Sequence, residues 1–181
     1  MKKVFLILVV AFMTLFAKET FSQNLMLNAN THETTVERCA GYFYDNSSTG
    51  NYATSIDRWV TICPPASSAN TRTALTFEEF NIDPSDTVFI YQGVGINAPI
   101  MTTGNNIPYF QNQDLQGLTI MPSLMMNSPC LTLRLVSNGS ATASGWKAKI
   151  ECARDCQFPE ASLDTFFYKY DSEGNMTVRP V

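Results

Sequence analysis

Charge is scarce in this chain of 181 residues, with Asp, Glu, Lys and Arg making up only 15% of it, against roughly 25% in average soluble proteins. That scarcity excludes a charged coiled coil and a disordered polyampholyte. Twelve basic residues stand against sixteen acidic ones, a net charge of −4. The basic surface that holds a phosphate backbone is therefore missing, and nucleic acid is not an expected partner. Histidine is almost absent too, since His32 stands alone on the segment before the first strong strand. A Ser-His-Asp site needs a rigidly held imidazole, and no Gly-x-Ser-x-Gly elbow is present to supply its serine. Cys152 and Cys156 are the one close cysteine pair, and without a neighbouring His they do not make a zinc site. Glu78 and Glu79 adjoin, but strand neighbours face opposite sides and do not form a catalytic pair. Gly93-Val94-Gly95 lacks the third glycine and the following helix of a dinucleotide loop. The chain reads as a non-enzyme.

Long apolar runs are missing as well, so no segment is expected to span a membrane. The longest lies at the start. Lys2 and Lys3 precede thirteen residues, Val4 to Phe16, broken only by Thr14, and the small residues Ala17 and Ser22 follow. Thirteen helical residues reach about 20 Å, short of a hydrocarbon core of about 30 Å. Residues 1–23 are therefore read as a signal peptide cleaved after Ala17 or Gln23. Its removal takes three lysines and one glutamate and leaves a net charge of −6. The expected location is secreted or cell-surface.

What the chain has in quantity is strand-forming sequence. Arg58 to Cys63 alternates polar and apolar residues and stops at Pro64-Pro65. Thr71 to Phe80 sets Ala74 and Thr76 against Leu75 and Phe77, with Phe80 one place out of step. Val88 to Tyr91 is continuously apolar, as a strand covered on both sides would be, and Leu118 to Met121 ends at Pro122. Leu131 to Val136 and Trp146 to Glu151 alternate with period two. Strands of this length, separated by turn residues, predict an all-β sandwich or barrel. Residues 24–38 are expected to be a loose N-terminal segment, and 39–152 the sandwich.

Five cysteines in an exported chain imply disulfides. Four of them allow three pairings. With Ser137 to Ser144 as a hairpin loop, Cys130 and Cys152 would face each other on neighbouring antiparallel strands. Cys39 would then join Cys63, each bridge contributing about 3 kcal/mol in the chain-entropy model. Cys156 is left unpaired, with a partner expected downstream. The last residues, 153–181, are expected to be a linker and the start of a second domain. Leu163 to Tyr170 has strand character, turn residues follow, and a lone hairpin cannot bury its own apolar groups.

Tyr42, Tyr44, Tyr52, Tyr109 and Phe110 sit among Ser, Asn, Gly and Pro. They could contact protein or sugar at low entropic cost, but packing in the core or at an edge of the sandwich is the favoured expectation for any one of them. Met121, Leu124, Met125 and Met126 could form an adaptable binding surface, but core filling is the favoured expectation.

Taken in order, several of these segments resemble a CUB domain. They are Cys39 with Gly41-Tyr42-Phe43-Tyr44-Asp45, Gly50-Asn51-Tyr52, Thr61-Ile62-Cys63-Pro64, Leu75 to Phe80, Asp86 to Gly93, and Leu131 to Cys152. The form is similar to that in secreted multidomain proteins of Bacteroidetes-type bacteria. The tail from Asp164 to Tyr170 resembles segments followed there by PKD modules and a gliding-motility-type sorting region. The resemblance implies a jelly-roll-like antiparallel β-sandwich. It also implies a single Ca²⁺ held by the matching positions Asp83, Asp86 and Asn138, with backbone carbonyls and water completing an oxygen shell. The alternative for Asp83 and Asp86 is that they flank a Pro-Ser turn. The function implied is non-catalytic recognition or adhesion, with a protein or glycan ligand, in the N-terminal part of a larger surface protein. An accessory domain of a secreted hydrolase is the alternative.

Overall fold

The computed structural model describes residues 24–154 together with the two short segments 167–170 and 176–179. Nine strands occupy the first stretch. They are β1 (Leu25–Met26), β2 (Thr34–Glu37), β3 (Tyr42–Tyr44), β4 (Asp57–Cys63), β5 (Thr71–Asn81), β6 (Thr87–Tyr91), β7 (Thr119–Ile120), β8 (Leu131–Val136) and β9 (Gly145–Arg154). The six strands read from sequence are β4 to β9. The first two described strands, β1 and β2, fall in the segment 24–38 expected to be loose. They are short, but Leu25 and Leu27 are buried in the core, and that burial holds them in place.

The strands form two sheets, ordered β1-β3-β9-β5-β7 and β2-β4-β8-β6. From β1 to β9 every strand lies in the opposite sheet from the one before it, so each connection is an arch over the core rather than a hairpin. This jelly-roll-like path has two consequences. First, β1 pairs parallel with β3, and β2 parallel with β4, which makes the sheets mixed rather than purely antiparallel. Second, β8 and β9, expected to be a hairpin, never share a hydrogen bond ladder. The neighbours of β8 are β4 and β6, whereas β9 lies between β3 and β5.

The expected disulfides are corrected by the same topology. Cys39 pairs with Cys152 and Cys63 with Cys130, at Cα separations of 4.9 and 4.4 Å. Ile62 stands opposite Leu131 in the β4–β8 ladder, so the next positions along, Cys63 and Cys130, face each other. Cysteines at facing positions of neighbouring antiparallel strands do pair, but the strand facing β8 is β4. Cys152 then meets Cys39, in the crossover from β2 to β3. Cys156 lies outside the described residues, as do residues 1–23.

The core between the sheets follows the period-two pattern. Val60 and Ile62, Leu131, Leu133 and Leu135, and Trp146, Ala148 and Ile150 all point inward and are buried. Phe77 and Phe80 meet edge to face at 5.3 Å, and Phe43 meets Trp146 at 5.4 Å. Each such side chain contributes about 1.5–3 kcal/mol by burial. The misplaced phase of Phe80 has a cause, a β-bulge between Phe77 and Glu79. The extra residue restores Phe80 to the core and turns both Glu78 and Glu79 to solvent. Glu78 and Glu79 therefore share one side, where Glu78 holds Lys147 at 2.7 Å.

The strands β10 (Phe167–Tyr170) and β11 (Met176–Arg179) pair antiparallel with each other. The strand expected over Leu163 to Tyr170 is thus present at its end, while residues 163–166 and the turn 171–175 lie outside the described residues.

Candidate functional site

One end of the sandwich gathers the arches 45–56, 82–86 and 137–144, and they are tied together by buried carboxylates. Asp86 is 1% exposed. Its Oδ2 accepts the Tyr52 hydroxyl at 2.6 Å and its Oδ1 the Asn138 backbone N–H at 2.8 Å. The Tyr52 hydroxyl in turn accepts the Asp83 N–H at 3.0 Å. Burial, followed by the hydrogen bond to Asp86, pushes the Tyr52 phenol above its usual range, so it remains a donor. Asn138 gives its Nδ2 to the Ser85 carbonyl at 3.1 Å and takes the Ser140 N–H and hydroxyl on Oδ1 at 2.8 and 2.6 Å. Asp83 Oδ1 accepts the N–H and hydroxyl of Ser85, at 2.9 and 2.6 Å. These bonds hold its carboxyl below the usual carboxylate range.

Of the three positions expected to hold Ca²⁺, Asn138 thus meets Asp86 directly through its backbone N–H, and Asp83 joins them only through its own N–H and the Tyr52 hydroxyl. As oxygen donors of low total charge they suit a hard cation. In the geometry described, however, protein N–H and O–H groups occupy the oxygens named above. The Pro-Ser turn reading is realised, because Asp83 caps the turn through Ser85. The two readings are compatible, since each carboxylate oxygen has more than one lone pair.

A second buried acid sits beside this cluster. Asp45 is 0% exposed. Its Oδ1 accepts the Ser47 N–H at 2.6 Å, and its Oδ2 the Trp146 N–H at 2.9 Å. Burial raises its carboxyl to about 6, against the opposing effect of those N–H groups. Gly145 makes the contact possible: at φ +74° it lies so close that a Cβ there would overlap the Asp45 carboxylate. Asp45 was not singled out from the sequence, although a signal exists. Tyr42, Phe43 and Tyr44 alternate out, in, out, and the next inward position is Asp45.

The opposite end carries the disulfides and the methionine loop. Arg72 Nη1 donates to the carbonyls of Ser123, Met126 and Ser128 at 3.1, 3.1 and 3.3 Å. The loop is thereby held with Leu124 53% and Met125 90% exposed. Core filling, the favoured expectation for this run, is therefore wrong for these two. The arch after Ile120 runs outside the sheets and has no core position to offer them.

The single histidine is not on a loose segment. His32 Nδ1 accepts the Trp59 N–H at 3.3 Å, and its ring meets that indole edge-on at 6.3 Å. Of the candidate aromatics, Tyr52 and Phe110 are buried, while Tyr42, Tyr44 and Tyr109 are half-buried. Gly95, of the glycine pair without a phosphate-loop pattern, gives its N–H to the Thr61 and Thr132 hydroxyls at 3.1 and 2.9 Å. Among the described residues, no three His, Cys, Asp or Glu side chains form a metal-binding group. No helix among them is long and apolar enough to cross a membrane.

No protein-family model matches the sequence, and no curated protein does. Among solved structures, the chain is similar to the full extracellular region of zebrafish Gpr126/Adgrg6. That match has 17% identity and a TM-score of 0.51, and covers 66% of this chain and 14% of that one. It is similar also to the CUB1-EGF-CUB2 region of human MASP-1/3, at 16% identity and a TM-score of 0.50, covering 70% and 46% of the two chains. The MASP-1 CUB2 domain bound to Ca²⁺ superposes at 17% identity and a TM-score of 0.45, covering 65% and 96%. The chain thus spans less than half the length of the first two. Residues 24–154 have the fold of CUB domains, a jelly-roll-like β-sandwich of two mixed sheets.

Proposed function

We propose that the chain is a non-catalytic, extracellular recognition or adhesion module whose ligand is a protein or a glycan. The observation that carries this reading is the fold, shared with part of the extracellular region of zebrafish Gpr126/Adgrg6 and tied by two disulfides. Disulfides persist where the surroundings are oxidising, which agrees with export directed by residues 1–23. A frame closed by two cross-links presents loops and sheet faces with little entropy left to lose on binding. The module would form the N-terminal part of a larger surface protein. The Bacteroidetes-type arrangement with downstream PKD and sorting modules is part of the same proposal. Asp83, Asp86 and Asn138 would hold Ca²⁺, which would add a link between the arches 82–86 and 137–144.

The test is saturable binding of the purified full chain to arrayed extracellular proteins and glycans, with ligand turnover followed in parallel. Saturable binding without turnover is the expected result. Turnover of a bound ligand, or no saturable binding on either array, would overturn the reading.

A further inference from the structure

The four-stranded sheet has one face in the core and one outside, and the outer face carries more than solvation requires. On β4, Val60 and Ile62 point inward at 0% exposure, so Asp57 and Trp59 point outward, while Thr61, on the same side, is covered by Gly95. The register sets Trp59 opposite Arg134 on β8, and Arg134 opposite Phe89 on β6. Beyond Phe89, Tyr109 meets its ring edge-on at 6.4 Å. On the other flank, the Glu33 N–H donates to the Trp59 carbonyl at 2.9 Å and brings His32 and Glu33 alongside. An aromatic row thus crosses the sheet with one guanidinium at its centre. Two inter-strand spacings separate Trp59 from Phe89, about 10 Å between backbones, the span of two linked pyranose rings.

Over the Trp59–Arg134 end of this row lies an open hollow of about 200 Å³, lined by His32, Glu33, Asp57, Trp59, Ile96 and Arg134. Arg134 is locked within it. Its Nε and Nη2 meet the two Asp57 oxygens at 2.7 and 2.5 Å, and its guanidinium lies 5.8 Å from the Phe89 ring centre.

We infer that this outer sheet face is a binding surface for a neutral oligosaccharide, with Trp59, Arg134 and Asp57 as its recognition groups. The inference rests on the recognition reading above and names its ligand class and its place. A sugar ring has an apolar C–H face and an edge of hydroxyls that both donate and accept. Half-buried aromatic side chains meet the first requirement. The planar Arg134–Asp57 fork meets the second, because its spare N–H groups and carboxylate lone pairs lie side by side. The two charges cancel, so the pair favours neither an anionic nor a cationic ligand. The chain's net charge of −4 disfavours a polyanion. Because Asp57 and Phe89 already hold Arg134 in place, little side-chain freedom is lost on binding.

The test is titration of the full chain with cellohexaose, xylohexaose, laminarihexaose and maltohexaose, followed by calorimetry and tryptophan fluorescence. The chain has two tryptophans, and Trp146 is only 2% exposed, so a ligand-dependent emission change reports Trp59. At least one of the four is expected to bind saturably with such a change. Trp59→Ala and Arg134→Ala should each weaken binding about tenfold or more, and Trp59→Phe should retain part of it, which separates recognition from misfolding. The inference is overturned if none of the four binds at millimolar concentration, or if binding survives both alanine substitutions. A protein ligand that still binds the Trp59→Ala chain would leave the recognition reading standing and remove only this face.

Discussion

Replacing Gly145 with alanine tests whether the buried Asp45 fastens the arch 45–56 to the five-stranded sheet. The substitution carries two costs. At φ +74° a non-glycine residue is strained by about 1–3 kcal/mol. The added Cβ would also overlap the Asp45 carboxylate, so that side chain must swing away from the Trp146 and Ser47 N–H groups it holds at 2.9 and 2.6 Å. Each buried donor left without a partner costs about 1–3 kcal/mol. With one donor orphaned and moderate strain, the total is about 4 kcal/mol. For a folded unit of roughly 130 residues, whose unfolding entropy is about 0.27 kcal/mol per kelvin, Tm should fall by about 15 °C. The assay is calorimetric melting of the disulfide-intact chain for Gly145→Ala, Asp45→Ala and the double variant. In the Asp45→Ala background only the backbone strain remains, so alanine at 145 should cost about 1–3 kcal/mol there. An equal cost of Gly145→Ala in both backgrounds, or a cost below about 1 kcal/mol in the native one, would refute the reasoning.

Asp45 should also leave a pH signature. Its carboxyl is raised to about 6 in the folded chain, from about 3.9 when unfolded. The stability linked to its protonation is therefore fully present below about pH 4 and is lost as pH rises through 6. At about 1.4 kcal/mol per pH unit, the loss comes to about 3 kcal/mol relative to Asp45→Asn. An NMR-measured carboxyl pKa below 4, or a pH-independent difference between the two proteins, would contradict it. Non-reducing digestion should yield peptides linking Cys39 to Cys152 and Cys63 to Cys130. Loss of the second bridge in a Cys63→Ser, Cys130→Ser chain should cost about 4 kcal/mol in the chain-entropy model, given its separation of 67 residues. Recovery of peptides linking Cys39 to Cys63 would defeat that assignment. Ca²⁺ at ten times its dissociation constant should stabilise the chain by about 1.4 kcal/mol. Asp86→Asn should abolish that gain, and an unchanged melting curve at millimolar Ca²⁺ would remove the metal from the proposal.

Much of the fold was legible because a strand half-buried against a core writes its pleat into the sequence as period-two alternation. That pattern marked β4, β5, β8 and β9 to within a few residues. It failed for β1 and β2, where two to four residues are too few to show a period, and where pairing depends on strands distant in the chain. The candidate site was legible in part. The positions Asp83, Asp86 and Asn138 come from the resemblance, and the structure links Asn138 to Asp86 directly and Asp83 to them through Tyr52. For Tyr52 the sequence leaves surface contact and core packing both open, and the structure buries it. Its hydroxyl finds Asp86, 34 positions away, and local composition carries no trace of such a partner.

The sequence by itself determined that this is an all-β domain, which of its longer segments alternate between core and surface, and that its cysteines have partners to find. Only the tertiary structure decided who those partners are, and how Trp59, Arg134 and Phe89 come to lie in one row. Alternation states which side of a strand faces inward, because that is a matter of the residue's own neighbours. It does not state which strand lies alongside. That was decided by a path that changes sheet at every turn, setting Cys130 against Cys63 rather than Cys152.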